Sequence, residues 1–245
     1  MHTALAFVAH RPWPLPTRPW IMAQVWHDLL FAHWPIPVEV MRAVVPAQLP
    51  LDLYAGSAWI GMVPFWMSGV RPRYLPPIPA LSTFSELNVR TYVTVGNKPG
   101  VYFFSLDAAS RLAVWGARNF FHLPYYFARM SSRSHGAWVE YQSRRVHRTA
   151  ELQCRYRPSG PAFEARPQSL EYFLTERYCL YTTVRERVLR CQIHHRPWSL
   201  QAAEAEIAHN SMVKASGIEL PDSAPHLLFS GRQEVLIWPL EEIEA

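Results

Sequence analysis

Lysine is almost missing from this chain of 245 residues: Lys98 and Lys214 are the only two, against 22 arginines. A guanidinium stays protonated and makes no amine nucleophile, so any Schiff-base chemistry must run through two positions or the N-terminus. Cysteine is nearly as scarce. Cys154, Cys179 and Cys191 are odd in number and form no C-x-x-C, which argues against a disulfide framework and a zinc knuckle. A reducing cytoplasm is the simple expectation. Charged residues make up 18% of the chain and glycine only 10 positions, with aromatics at 13% and 22 prolines. That mixture excludes disordered, coiled-coil and collagen-like classes. Long hydrophobic runs are absent too. The longest uncharged stretch, 53–70, is broken by Gly56, Gly61, Pro64 and Gly69, and reads as buried strand, not a membrane span. The N-terminus lacks the basic and apolar regions of a signal peptide.

What is present points to one α+β domain over residues 23–245, mainly antiparallel β, behind an extended and loose arm over 1–22 marked by Pro12, Pro14, Pro16 and Pro19. Strands are expected over 57–67, 85–95, 101–106, 138–147, 151–157, 178–184, 188–194 and 234–238. Gly96 to Gly100 reads as a hairpin turn. Helices are expected over 38–45 after Pro37, over 108–121 with Asp107 as N-cap, over 169–174, and over 200–208.

Four constellations carry chemical interest. On strand 85–95, alternation places Glu86, Asn88, Arg90 and Tyr92 on one face and Leu87, Val89 and Val93 on the other. Glu86 and Arg90 stand ~13 Å apart along such a strand, too far to neutralise each other, so each is free to address a ligand. On the helix before Pro124, Arg111, Trp115, Arg118 and His122 form one stripe, facing either solvent or an anion, and Tyr125 and Tyr126 follow. Adjacent His194 and His195 lack metal-ligand spacing, and no H-E-x-x-H, G-x-S-x-G, Walker loop or G-x-G-x-x-G occurs. Neither a metal nor another cofactor is expected. The arginine run Arg129, Arg133, Arg144, Arg145, Arg148 and Arg155 carries no nucleic-acid-binding motif and reads as a solvated strand face.

The strings LFAHW at 30–34, GMVPF at 61–65, FSELNVRTY at 84–92, FFSLD at 103–107 and ERY at 176–178 together resemble the YqjF-like family of uncharacterised bacterial proteins, from about residue 26 to about residue 238. More remotely, that family resembles the acetoacetate decarboxylase-like superfamily. The resemblance implies a cone-shaped antiparallel β-barrel enclosing a small-molecule pocket, usually in a homo-oligomer. In the decarboxylases, a Tyr-Pro-Lys-Lys segment supplies a Schiff-base lysine and a second lysine that lowers its pKa. The parallel segment here is Leu123-Pro124-Tyr125-Tyr126, so both lysine positions correspond to phenols, which form no iminium. By spacing, the decarboxylases' pocket glutamate corresponds to Glu86.

The functional expectation is a pocket for a small anionic metabolite, an oxo- or hydroxy-carboxylate, with no nucleic-acid or membrane partner. Arg90, Asn88, Arg118 and His122 are its candidate ligand-binding residues. Glu86, Tyr125 and Tyr126 are candidate catalytic groups for a lyase-like step by general acid–base chemistry. A non-catalytic sensor or carrier on the same barrel remains open beside it, as does a protein-interaction module.

Overall fold

The computed structural model describes residues 2–78, 81–147 and 149–244. Eleven strands and three short helices follow one another in the order β1 (Met22–Ile36), α1 (Val38–Val44), β2 (Ala58–Pro72), β3 (Phe84–Val95), β4 (Lys98–Ala108), α2 (Arg111–Phe120), β5 (Tyr125–His135), β6 (Trp138–Arg145), β7 (Glu151–Phe163), α3 (Leu170–Thr175), β8 (Cys179–Val184), β9 (Arg187–His194), β10 (Leu200–Asn210) and β11 (His226–Ile243). All neighbouring pairs are antiparallel except β4 with β5 and β4 with β8. No helix is long and apolar enough to cross a membrane among the described residues.

The pairings form two closed circuits that share β1, β2, β3, β4 and β11. The larger runs β1-β2-β3-β4-β5-β6-β7-β10-β11, and the smaller runs β1-β2-β3-β4-β8-β9-β11. The larger is packed solid. Leu30, Ala32 and Trp34 of β1 meet Leu87 and Val89 of β3, Tyr141 of β6 and Tyr156 of β7 in one buried cluster. The smaller circuit is hollow, and the candidate site lies inside it. The shared strands are therefore buried on both faces, which is why every residue from Glu86 to Val93 is buried.

Local signals explain the elements. Gly96 and Asn97 both have positive φ, the requirement of a two-residue hairpin loop, and join β3 to β4. Pro37 opens α1, and Ser169 caps α3 by accepting from the Tyr172 N–H. In β1, Asp28 sits at φ 51 where the register with β2 shifts. This bulge reverses the strand's parity: Met22, Gln24 and Trp26 face the hollow before it, Leu29 and Phe31 after it. β4 does the same between Phe103 and Leu106, beside the register shift at Val89/Arg90.

Three expectations need correction. Residues 200–208 form strand β10, not a helix. Their Ala and Glu content favours helix locally, but tertiary pairing wins: Ala203, Ala205 and Ile207 pack on the core, while Glu204 and Glu206 pair with Arg157 and Arg155 of β7. Asp107 does not cap α2. It lies within β4, one residue before its end, fully buried and held by Arg145, and Ser110 is the N-cap, accepting from the Ala113 N–H at 3.2 Å. The N-terminal arm is pinned, not loose. Arg11 is buried and donates to the Ile193 carbonyl at 2.8 Å, Trp13 donates to Gln192 at 2.9 Å, and Trp238 donates to the Arg18 carbonyl at 2.7 Å.

Candidate functional site

Strand β3 presents Glu86, Asn88 and Arg90 to the hollow of the smaller circuit, and turns Leu87, Val89 and Val93 into the packed one. The hollow is a cavity of about 580 Å³. Leu29, Phe31, Val63, Phe65, Met67 and Trp198 supply much of its wall as one apolar cluster. Charged side chains in the lining are few: Glu86, Arg90, Arg177 and, if protonated, His195, among the described residues.

The floor around Arg90 is fixed by the end of α3. The Leu174 carbonyl accepts from Arg90 Nη2 at 3.1 Å and from the Tyr92 hydroxyl at 2.9 Å. Tyr92 also meets His33 Nε2 at 2.6 Å, so its ring closes the floor and does not line the hollow. Arg90 stacks on Phe31 and Tyr92, with 5.5 and 5.8 Å between guanidinium carbon and ring centroids. Its Nε has no hydrogen-bond partner among the described residues, nor has Oδ1 of Asn88. Arg90 also has no carboxylate within salt-bridge distance there. Arg177, by contrast, is spent: Nη1 donates to Asp52 at 2.5 Å and Nε to the Phe173 carbonyl at 2.6 Å.

Glu86 is 4% exposed and accepts from the Tyr125 hydroxyl at 2.8 Å. Burial pushes its pKa up to about 8, the Tyr125 bond works against the rise, and the nearby Asp107 carboxylate adds to it. At neutral pH Glu86 is therefore mostly a neutral carboxylic acid. Burial, with Glu86 beside it, drives the Tyr125 pKa well upward, so Tyr125 is a donor and not a phenolate. Burial, reinforced by Arg11 and His10, lowers the His195 pKa to about 4 and keeps that ring neutral.

The remaining candidates fall elsewhere. Tyr125 and Tyr126 are successive strand residues and point to opposite faces. The Tyr126 ring lies 3.9 Å from the Arg145 guanidinium and does not line the cavity. Arg118 is exposed and gives Nε to the Tyr125 carbonyl at 2.6 Å. His122 is exposed at φ 52, with its carbonyl accepting from Thr182 at 2.9 Å. Neither side chain lines the cavity, because α2 turns Leu112, Trp115, Gly116 and Phe120 toward it instead. In the arginine run, Arg144 pairs with Glu151 and Arg155 with Glu206, while Arg148 lies outside the described residues. Lys98 stands by the Trp13 ring and Lys214 pairs with Glu219, both away from the cavity. No cluster of three or more His, Cys, Asp or Glu suited to a metal occurs among the described residues.

Sequence reasoning missed Arg177, His195 and Trp198 as lining residues. The ERY string at 176–178 was a usable signal, but its part in the wall depends on α3 folding back under β3.

The family model described as an uncharacterized conserved protein, DUF2071, matches residues 23–234. The chain belongs to the DUF2071 family. It is 53% identical over 229 residues to the uncharacterized protein YqjF of Bacillus subtilis strain 168, covering 93% of this chain and 95% of that one. Among solved structures, the fold is similar to the enduracididine biosynthesis enzyme MppR with HEPES buffer bound, at TM-score 0.67, 9% identity and coverage of 97% and 98%. It is similar also to an acetoacetate decarboxylase-like enzyme from Sphingomonas wittichii RW1, at TM-score 0.62, 12% identity and coverage of 98% and 99%. An acetoacetate decarboxylase matches at TM-score 0.64, 11% identity and coverage of 92% and 90%. At these identities the likeness is one of fold.

Proposed function

We propose that the hollow circuit is a cone-shaped barrel that binds an organic carboxylate, with Arg90 as its anchor and Glu86 with Tyr125 as a proton-transfer pair. One observation carries this reading: a guanidinium 9% exposed, lining a cavity, with no acidic partner among the described residues. An uncompensated buried charge is costly, and an anionic ligand offsets that cost with paired hydrogen bonds. Asn88 Oδ1 adds an acceptor suited to a ligand hydroxyl. MppR has been solved with pyruvate, an oxo-acid, in a related fold, which supports the same ligand class.

The chemistry follows from the protonation states. A Glu86 with a pKa of about 8 is poised near neutral pH, where a general acid or base works best. In its ionised fraction it removes a proton from the carbon beside a ligand carbonyl. The electron pair moves onto the carbonyl oxygen, and the Tyr125 hydroxyl turns from Glu86 to donate to that oxygen, the stronger acceptor. No amine is required.

The test is a thermal-shift screen of oxo- and hydroxy-carboxylates on the wild type and Arg90→Ala. A ligand at ~100 times its Kd adds ~2.7 kcal/mol, worth roughly 5–10 °C at this size. A shift in the wild type that vanishes in a folded Arg90→Ala is expected. No shift, or one that survives the substitution, overturns the anchor. Glu86→Gln then separates enzyme from binder, since it leaves binding intact and abolishes turnover only if Glu86 moves the proton.

A further inference from the structure

The cavity is much larger than a three- or four-carbon acid. At the ~30 Å³ a water molecule occupies in the liquid, 580 Å³ holds roughly twenty non-hydrogen atoms. Polarity is also unevenly placed. Glu86, Asn88 and Arg90 share the wall made by β3 and are at most 9% exposed, with Tyr125 bonded to Glu86, while Arg177 and His195 are the other ionisable groups in the lining among the described residues. The mouth of the cavity is apolar and open to solvent. Leu112, Trp115 and Phe120 of α2, with Leu75, Ile78 and Leu81 between β2 and β3, all line the cavity yet are 47–66% exposed. Single exposed apolar residues are ordinary, but six converging on one cavity mouth are not.

We infer that the carboxylate bound here carries a long apolar group, which runs from Arg90 along the apolar wall and ends under the α2 mouth. This rests on the reading of Arg90 as anchor and adds the class of molecule: an acyl-chain or similarly extended amphiphilic acid. A short acid would leave most of the wall against water. A chain displaces that water, and each methylene brings its own transfer free energy. The charge pattern fits, because no lining residue at the mouth is charged among the described residues, so nothing there opposes a chain.

The experiment is a calorimetric binding series of straight-chain saturated carboxylates, from about four to about twelve carbons, below their micelle concentrations. Primary alcohols of matched length serve as controls. The expected result is an affinity gain of up to about four-fold per added methylene, with acids bound tighter than alcohols. Ala117→Trp, which narrows the passage below α2, should flatten the gain at long chain length and leave the shortest acid unchanged. Phe120→Ser, on an exposed surface and harmless to folding, should weaken only the longest members.

The outcomes separate the two ideas. Affinity flat with chain length but dependent on Arg90 overturns the long-chain inference and leaves the anchor standing. A gain with length in which alcohols equal acids and Arg90→Ala changes nothing overturns the anchor. A gain that Ala117→Trp and Phe120→Ser both leave untouched shows that the chain lies elsewhere and overturns the proposed path.

Discussion

Glu86→Gln should make this protein more stable in mildly alkaline solution, although it alters a candidate catalytic residue. Proton linkage is the cause. An ordinary glutamate ionises near 4.5, whereas buried Glu86 holds its proton to about 8. Below pH 4.5 both folded and unfolded chains carry the proton, so this group makes no pH-dependent difference. Between about 4.5 and 8 the unfolded chain has released it and the folded chain has not. The native state then binds one more proton, and stability falls by ~1.36 kcal/mol for each pH unit. The loss reaches about 3 kcal/mol at pH 7 and about 5 kcal/mol above pH 8, as upper limits. Glutamine has the shape of the neutral acid, still accepts from Tyr125, and does not titrate. Urea denaturation of wild type and Glu86→Gln at intervals from pH 4.5 to 9 isolates the effect, because the other titrating groups cancel in the difference. The two should agree within about 1 kcal/mol at the acid end, and the variant should pull ahead steadily until about pH 8. Parallel curves across that range would mean that Glu86 ionises like a surface carboxylate and that no neutral acid lines the cavity.

Two further predictions concern the frame that holds the site. A Cβ at Gly100 would lie 2.7 Å from the Cys179 carbonyl oxygen, which is backbone and cannot step aside. Gly100→Ala should therefore strain the β4–β8 pairing that closes the hollow circuit, costing ~1–3 kcal/mol in urea denaturation; a change under about 0.5 kcal/mol would show that the closure tolerates slack. Arg145 clasps Asp107 with three bonds of 2.7–3.2 Å, both side chains buried. Asp107→Asn should destabilise by ~3–5 kcal/mol by leaving the guanidinium uncompensated, while Asp107→Leu combined with Arg145→Met should lose much less. Equal losses in the single and double variants, read by the same denaturation, would mean that packing and not charge pairing holds this corner.

The strand that builds the site was the part most legible in the sequence. β3 has no bulge in its own face alternation, so period-2 reading put Glu86, Asn88 and Arg90 together correctly. Alternation failed where the backbone breaks it. β1 escaped notice because the bulge at Asp28 reverses its inward face halfway along, and β5 because Tyr125 to His135 mixes polar and apolar residues with no clear period. The stripe of Arg111, Trp115, Arg118 and His122 was visible as a pattern, but a stripe does not say which way it faces. Of its four residues only Trp115 meets the cavity, together with Leu112, Gly116 and Phe120 from the rest of α2. Glu204 and Glu206 pointed to helix by composition, and only their arginine partners on β7 made them a strand.

The two circuits also explain how so apolar a cavity can keep a cation in place. Polar groups on a single-layer wall would be free to turn outward to water. Glu86, Asn88 and Arg90 cannot, because the other face of β3 is already filled by Leu87, Val89 and Tyr141 in the solid circuit. Tyr141 reinforces this by donating to the backbone carbonyls of Glu86 at 2.7 Å and Phe65 at 3.1 Å, which ties β3 and β2 together from behind. A packed core thus backs the polar wall, and rigid backing of this kind holds binding groups to the tolerance that directional chemistry needs. The hollow circuit supplies the space, and the solid one fixes the groups that act in it.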